Sequence, residues 1–494
     1  VRSAGSSNFP RWGQIFAIDL RSLALFRIAL GVLILAGVAL RTVDFRVFFT
    51  EDGVWPVATA WAEDWAPGMW SLHLLSGSFA WQAGLTVAEA LAGLALLLGW
   101  RTRTVAVLAW VLVASAQKRD VMIVSGAGGL LRQFLFWGMW LPLGARWSLD
   151  ARRRTGSPAG PDSVLSAASA ALLLQVILVY GANVLYKSDP AWRSTGDAIW
   201  MALSQETYSR PLGRWLLAWP GLLRALTHGT FWLEALGPLL VLIPWANARW
   251  RLLAAALFIP FHATLAATMY LGFFPFVSIA GWLAFLPRTF WESSSFSSSS
   301  SSSEARGKGD EDEDEEKDEE SASPGTTSYP SSHLTNAAAA ACFALVVCWN
   351  LRPALPALKI LDPASRVCRF EQRWAMFAPK PREVDSWCVV VGTDAAGTET
   401  NLWTGDRPVK WRRPADFAAF YPSDTWKLYF LNLRSGTAPR LRLFTEWLAR
   451  KWSREHPGDP AFVKLEVYQL EESIHARGTM PANYLIYDST APAR

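Results

Sequence analysis

Apolar residues cluster along this chain in nine stretches, at about 22–40, 79–99, 104–117, 121–143, 164–186, 229–245, 250–271, 273–287 and 334–351. An α-helix rises 1.5 Å per residue and the hydrocarbon core of a bilayer is about 30 Å thick, so one crossing takes about 20 apolar residues. Most of the nine approach that length, and the third and eighth fall short of it. The pattern predicts an all-α polytopic membrane helical bundle of about eight or nine spans. The first stretch has no convincing small-residue cleavage site before its end and reads as an uncleaved anchor rather than a signal peptide.

Beyond residue 352 the pattern changes. Trp387 to Gly392 and Phe462 to Tyr468 are β-branched or alternating, as strands are. Leu441, Phe444, Leu448 and Trp452 recur at helical spacing with charges between them. A small extramembrane α+β or β-sandwich C-terminal domain is expected there. The organisation predicted is a transmembrane domain over 1–292, a linker over 293–333, a last transmembrane helix over 334–352 and a soluble domain over 353–494. Residues 293–303 are serine with one phenylalanine, and 310–320 are acidic with one lysine. Such a segment buries too little apolar surface to offset the entropy of ordering, so it reads as a disordered spacer or an acidic interaction tract.

Composition sharpens the membrane reading. Apolar residues make up 51 % of the 494 and charged residues only 18 %, against roughly 25 % in soluble domains. The 28 tryptophans suit a chain with long membrane–water boundaries, where an amphipathic ring is favoured. Outside the acidic tract the bases punctuate apolar runs instead of forming one stripe, which excludes nucleic acid as a partner and makes the lipid bilayer one. Arginines at 2, 11, 21, 101, 103, 146, 152–154, 249 and 251 fall in alternate loops. The positive-inside rule puts those loops and the N-terminus in the cytoplasm and the tail outside, periplasmic in a bacterial inner membrane. Four cysteines, Cys342, Cys348, Cys368 and Cys388, form no CxxC pair, and no metal site is expected. In an oxidising compartment Cys368 and Cys388 could pair, with two free buried thiols as the equal alternative.

Ionisable and amide groups inside apolar runs are costly and face protein or water. They are Arg27, Glu89, Arg132, Gln133, Gln175, Tyr180, Asn183, Lys187, Glu234 and His262. Gln175, Tyr180, Asn183 and Lys187 lie close to one face of the fifth helix, a stripe that suits the lining of a cavity. A lysine deprived of water becomes a usable general base near neutral pH, and one at a helix end also simply snorkels to the headgroups. His262 suits a hydrogen bond to a ligand oxygen or to a backbone carbonyl across a helix pair. Glu234 and Glu89 suit proton storage or an ion pair with Arg27 or Arg132. No phosphate-binding loop, HExxH or GxSxG motif is present.

A series of short motifs runs in order through the membrane part. It comprises Phe26-Arg-Ile-Ala-Leu30, Phe48-Phe-Thr-Glu-Asp-Gly-Val54, Trp70-Ser-Leu-His73, Leu143-Gly-Ala-Arg-Trp-Ser-Leu-Asp150, Tyr186-Lys-Ser-Asp-Pro-Ala-Trp192, His262 and Gly272-Phe-Phe-Pro275. Together they resemble the HTTM (horizontally transferred transmembrane) domain family, bacterial relatives of vitamin K-dependent gamma-carboxylase, over about residues 15–292. The tail, with Trp374-Ala-Met-Phe-Ala-Pro379, resembles the C-terminal extension of some members. The resemblance implies a quinol-type lipid as substrate, reduced vitamin K or menaquinol, with oxygen and, for a carboxylase, carbon dioxide as co-substrates. The family's Lys-x-Asp-x-x-Trp pattern is matched by Lys187, Asp189 and Trp192, and its histidine by His262, which implies Lys187 as the base and His262 on the quinone oxygens; Asn183, Tyr180 and Glu234, polar positions of the apolar runs, join Asp189 and Trp192 as the expected substrate-binding residues. The implied activity is quinol oxidation or epoxidation, with or without carboxylation of glutamate in a protein substrate. The stretch 117–125 holds no counterpart of a further carboxylase histidine, and the tail is shorter than the carboxylase's lumenal region. A non-catalytic membrane scaffold, whose external tail binds a protein partner, is the competing class. Transport along Glu89, Glu234 and Arg132 is a third, weakened by the lack of an inverted repeat.

Overall fold

A computed structural model describes residues 11–154, 162–292, 328–329 and 331–490. The acidic and serine-rich part of the linker lies outside them. Each of the nine apolar stretches contains a helix. We number them α1 (Leu20–Arg41), α2 (Phe79–Leu98), α3 (Thr102–Ala116), α4 (Gly126–Gly138), α5 (Ala167–Tyr186), α6 (Pro220–Leu236), α7 (Asn247–Thr268), α8 (Phe274–Leu283) and α9 (His333–Leu351). Six, with α6 continued by a tighter turn to Leu242, are long and apolar enough to cross a membrane. The third and eighth are short, as their sequences predict. The fourth is shorter than its apolar run, because Asp120 and Ser125 cap two separate segments, Val121–Ile123 and α4. Serine and aspartate start half of the others: Asp19, Ser78, Ser166 and Ser332 each accept a backbone N–H in the first turn of α1, α2, α5 and α9. Close packing of α1 on α2 needs a glycine, since a Cβ on Gly31 would lie 2.7 Å from the backbone nitrogen of Leu97.

The connections sort cleanly to two ends of the bundle. At one end Ile18 and Asp19 pair with Val164 and Ser163, and the latter two pair with Tyr329 and Ser328. There Arg27 donates to the carbonyls of Leu143 and Trp147, and Arg251 to those of Ala17 and Phe285. At the other end Arg119, after α3, donates to the carbonyls of Phe49 and Trp55, after α1. Exposed tryptophans ring both ends: Trp61, Trp65, Trp81, Trp215 and Trp219 at one, Trp100, Trp147 and Trp245 at the other. That is the distribution of an interfacial aromatic belt.

The tail forms one antiparallel sheet of four strands, β1 (Val384–Asp394), β2 (Glu399–Asn401), β3 (Phe462–Ser473) and β4 (Ala482–Asp488), in the order β2-β1-β3-β4. Helices α10 (Asp424–Leu433) and α11 (Ala438–Glu455) share its core. The described tail residues hold one sheet, where a sandwich would need a second facing it.

The tail is not separate from the bundle. Phe48, Phe49, Trp55, Met122, Trp387, Phe430 and Phe444 belong to a single buried cluster. Arg440 on α11 is buried between Asp64 and Asp120 at 2.5 and 2.8 Å, its guanidinium 3.8 Å from the Trp55 ring centre. Lys427 donates to the Tyr270 carbonyl at 3.1 Å. Residues 369–377 enter the bundle itself. The carbonyl of Arg369 accepts from Arg132 and Gln133, and Gln372 accepts from Gln175 at 2.9 Å. Irregular backbone at this depth is tolerated because it is enclosed by protein.

Candidate functional site

Lys187 is the residue that ends α5, and its own N–H still bonds the carbonyls of Asn183 and Val184. The helix therefore aims the side chain inward at α6. Its Nζ sits 2.5 Å from Glu234 Oε2, and the two side chains are 3 % and 7 % exposed. Asn183, one turn earlier, donates to the same oxygen at 3.0 Å. The Trp192 ring lies beneath the amine, its centroid 3.9 Å from Nζ. Trp192 is held by its indole N–H, which donates to the Phe377 carbonyl at 2.9 Å.

The Lys-x-Asp-x-x-Trp spacing has a local physical reason. Lysine closes one helix, and Asp189 opens the next (Pro190–Arg193) by accepting the Ala191 N–H at 2.9 Å. That short helix carries the tryptophan back under the amine. Asp189 is thus a cap, and the carboxylate beside the lysine is Glu234.

A second cluster lies deeper on α5. The Tyr180 hydroxyl is 2.6 Å from His262 Nε2 and accepts from the Trp282 indole at 2.8 Å. His262 bonds this hydroxyl where a backbone carbonyl was one of the two partners expected. Phe261 and Phe274 stand edge-on to its ring. His262 Nδ1 and Asn183 Oδ1 are buried and have no hydrogen-bond partner among the described residues. Tyr180 and Lys187 are seven residues apart, about 10 Å along the helix. The histidine and the lysine accordingly have different partners.

Several sequence expectations need correction. Glu234 pairs with Lys187, and not with Arg27 or Arg132, which are occupied by backbone carbonyls. Glu89 pairs with Arg41, in two hydrogen bonds of 2.7 and 2.8 Å. Gln175 leaves the stripe: five residues turn a helix about 140° beyond one full turn, so it meets Gln372. Cys388 is buried in β1 with its thiol on Gln469, away from Cys368, whose neighbour is Cys342.

A cavity of about 900 Å³ lies where the bundle meets the tail. Leu33, Gly37, Phe273 and Val277 give it an apolar flank, while Arg41, Glu89, Tyr208, Tyr270, Arg382 and Lys427 supply polar groups. Neither Lys187 nor His262 lines it. His262 stands one residue behind its wall, since Phe274 lines it and touches the imidazole; Lys187 stands two behind, since Phe377 lines it and holds Trp192, whose ring touches the amine. Sequence reasoning missed Trp282, Phe377 and Arg41. Arg41 carried a signal as a base ending an apolar helix, and Phe377 lies within the Trp374–Pro379 motif. No group of three or more potential metal-ligating side chains occurs among the described residues.

Fold and clusters together define a mostly helical protein with membrane-length helices, a docked α+β tail and a buried lysine–carboxylate pair. Compared with protein-family models, with curated proteins and with solved structures, the chain matches none.

Proposed function

We propose that this protein is a polytopic membrane oxidoreductase of the carboxylase-like type that the motif series resembles, with Lys187 as the base that deprotonates a quinol-type lipid. The observation that carries the reading is the buried Lys187–Glu234 contact at 2.5 Å. Two opposite charges taken out of water attract strongly but lose their hydration, so each group depends on the other as its partner here. A lysine acts as a base only after giving up its own proton, and Glu234 is placed to take the Nζ proton, which leaves the amine a lone pair for the proton of a ring hydroxyl. Asn183 holds the carboxylate that receives the shared proton, and Trp192 stabilises the ammonium that forms. Menaquinol or reduced vitamin K would occupy the cavity at the tail, its chain along the apolar flank, and reach the lysine by displacement of Phe377 or Trp192. Oxygen is then the oxidant. With carbon dioxide, the same base chemistry extends to a protein glutamate.

The topology that goes with this reading has nine crossings. The connections after α1, α3, α5 and α7 all meet the tail, as alternation requires. With the arginine-rich loops inside, the lysine opens toward the periplasmic half of a bacterial inner membrane and the tail is periplasmic. The test is purified protein with menaquinol and oxygen, and mass spectrometry for the epoxide. Product from wild type and none from Lys187→Ala is expected, and equal product from both defeats the proposal.

A second reading is favoured by one observation, that Lys187 and His262 both stand behind the cavity wall. In that reading the ion pair is a structural lock and the protein a scaffold whose tail binds a protein partner. Deleting 353–494 does not separate the two readings, because the tail shares its core with the bundle.

A further inference from the structure

Helix α9 ends at Leu351 and the chain turns back on it. Arg352 binds Asp362 at 3.0 Å, and Asp362 also holds Arg366 at 3.4 Å, which folds the short helix Asp362–Val367 against the end of α9. Trp349 then donates to the Gln372 carbonyl at 3.0 Å. Between these two fastenings Cys368 caps the short helix and faces Cys342 on α9, close enough for the two thiols to interact. Both side chains are half-buried and pack on the same apolar cluster. Cys348 lies six residues further along α9, roughly 120° away around the helix, and Cys388 is enclosed in the tail sheet.

We propose that Cys342 and Cys368 are a redox pair whose disulfide staples residues 369–377 to the last apolar helix. The stapled segment runs from Arg369, whose carbonyl takes Arg132 and Gln133, to Phe377, whose carbonyl positions Trp192. The bond would therefore fix one wall of the cavity and the floor under Lys187. The oxidant is a disulfide donor. The Cys368 thiolate attacks one of its sulfurs, giving a mixed disulfide and one released thiolate. Cys342 then displaces the second sulfur, and the proton it loses goes to that released group. Two thiols and one disulfide become one disulfide and two thiols. Interaction with Cys342 outweighs burial and draws the Cys368 thiol below its ordinary value, which suits it to the attacking role.

The inference stands apart from the quinol reading, since its readout is a covalent bond. Native membranes carrying the full chain are treated with oxidised glutathione, alkylated, digested and analysed by mass. The expected product is one cross-linked peptide pair containing Cys342 and Cys368, lighter than the two free peptides by two hydrogens, with Cys348 alkylated. Oxidised wild type should also unfold at a higher temperature than reduced wild type, while Cys342→Ser with Cys368→Ser shows no such redox difference. Alkylation of both Cys342 and Cys368 after oxidation, or a link from Cys368 to Cys348 or Cys388, overturns the proposal.

Discussion

Lys187 and Glu234 can be tested as a pair by thermodynamics alone. Removing one partner of a buried ion pair strands the other and costs about 3–5 kcal/mol, whereas replacing both by apolar side chains of similar volume is often neutral or stabilising. Both side chains here are almost fully buried, and their contact is 2.5 Å. In Lys187→Met, Glu234 keeps only the Asn183 hydrogen bond and loses its counter-charge. In Glu234→Leu, the amine keeps only the face of Trp192. Each single variant should therefore lose about 3–5 kcal/mol, and the double variant close to nothing. The coupling would be several kcal/mol, above the roughly 0.5–3 kcal/mol usual between neighbouring sites. The assay is denaturant unfolding in mixed micelles, followed by tryptophan fluorescence, for wild type, both singles and the double. Additive losses, or a single-variant loss below about 1 kcal/mol as for a hydrated surface pair, would refute the reasoning. The double variant would also be a folded protein without the base.

Three further outcomes follow from the same geometry. Arg440→Ala leaves Asp64 and Asp120 buried without their cation; a loss of about 3–5 kcal/mol is expected, read as faster release of the tail by limited proteolysis. Burial lowers the His73 pKa to about 4, against about 6.5 in an unfolded chain. A lowered folded value means stability that is fully present above pH 6.5 and lost as the pH falls toward and through 4. Roughly 3 kcal/mol is at stake, and the difference between wild type and His73→Gln unfolding at pH 7 and pH 4.5 measures it. Finally, a Cβ at Gly37 meets nothing within 4 Å, so Gly37→Phe should fold normally yet fill the cavity, and binding of a labelled menaquinol analogue should fall at least tenfold.

The helices were legible because apolar length is a local signal, and the start of α5 could be read from Ser166. The polar stripe of α5 was legible as well, since Tyr180, Asn183 and Lys187 interrupt a run that lipid alone would keep apolar. Their partners were not. Glu234 is 47 residues from Lys187, and only the packing of α6 on α5 selects it over Arg27 and Arg132. The Lys-x-Asp-x-x-Trp resemblance made Asp189 a catalytic neighbour, yet a residue just before a proline-started helix is also where a cap belongs. The docking of the tail was beyond reach from sequence. Arg440 and Asp120 are 320 residues apart, and a buried arginine on an amphipathic helix resembles a solvated one until its carboxylates are in place. The entry of residues 369–377 into the bundle was hidden for a related reason: nothing local marks Arg369 as buried, and the carbonyl it donates to, that of Ala114, is 255 residues away.

Lys187→Arg divides the account most directly. Arginine keeps the positive charge, the pairing with Glu234 and a planar group over Trp192, but it does not release its proton under any ordinary condition. The measurement is menaquinol-dependent oxygen consumption by wild type and Lys187→Arg in proteoliposomes, with unfolding curves to establish that both are folded. A folded Lys187→Arg protein with oxygen consumption reduced by about two or more orders of magnitude, as for loss of a general base, is what the account predicts. A folded Lys187→Arg protein that consumes oxygen at the wild-type rate would contradict it.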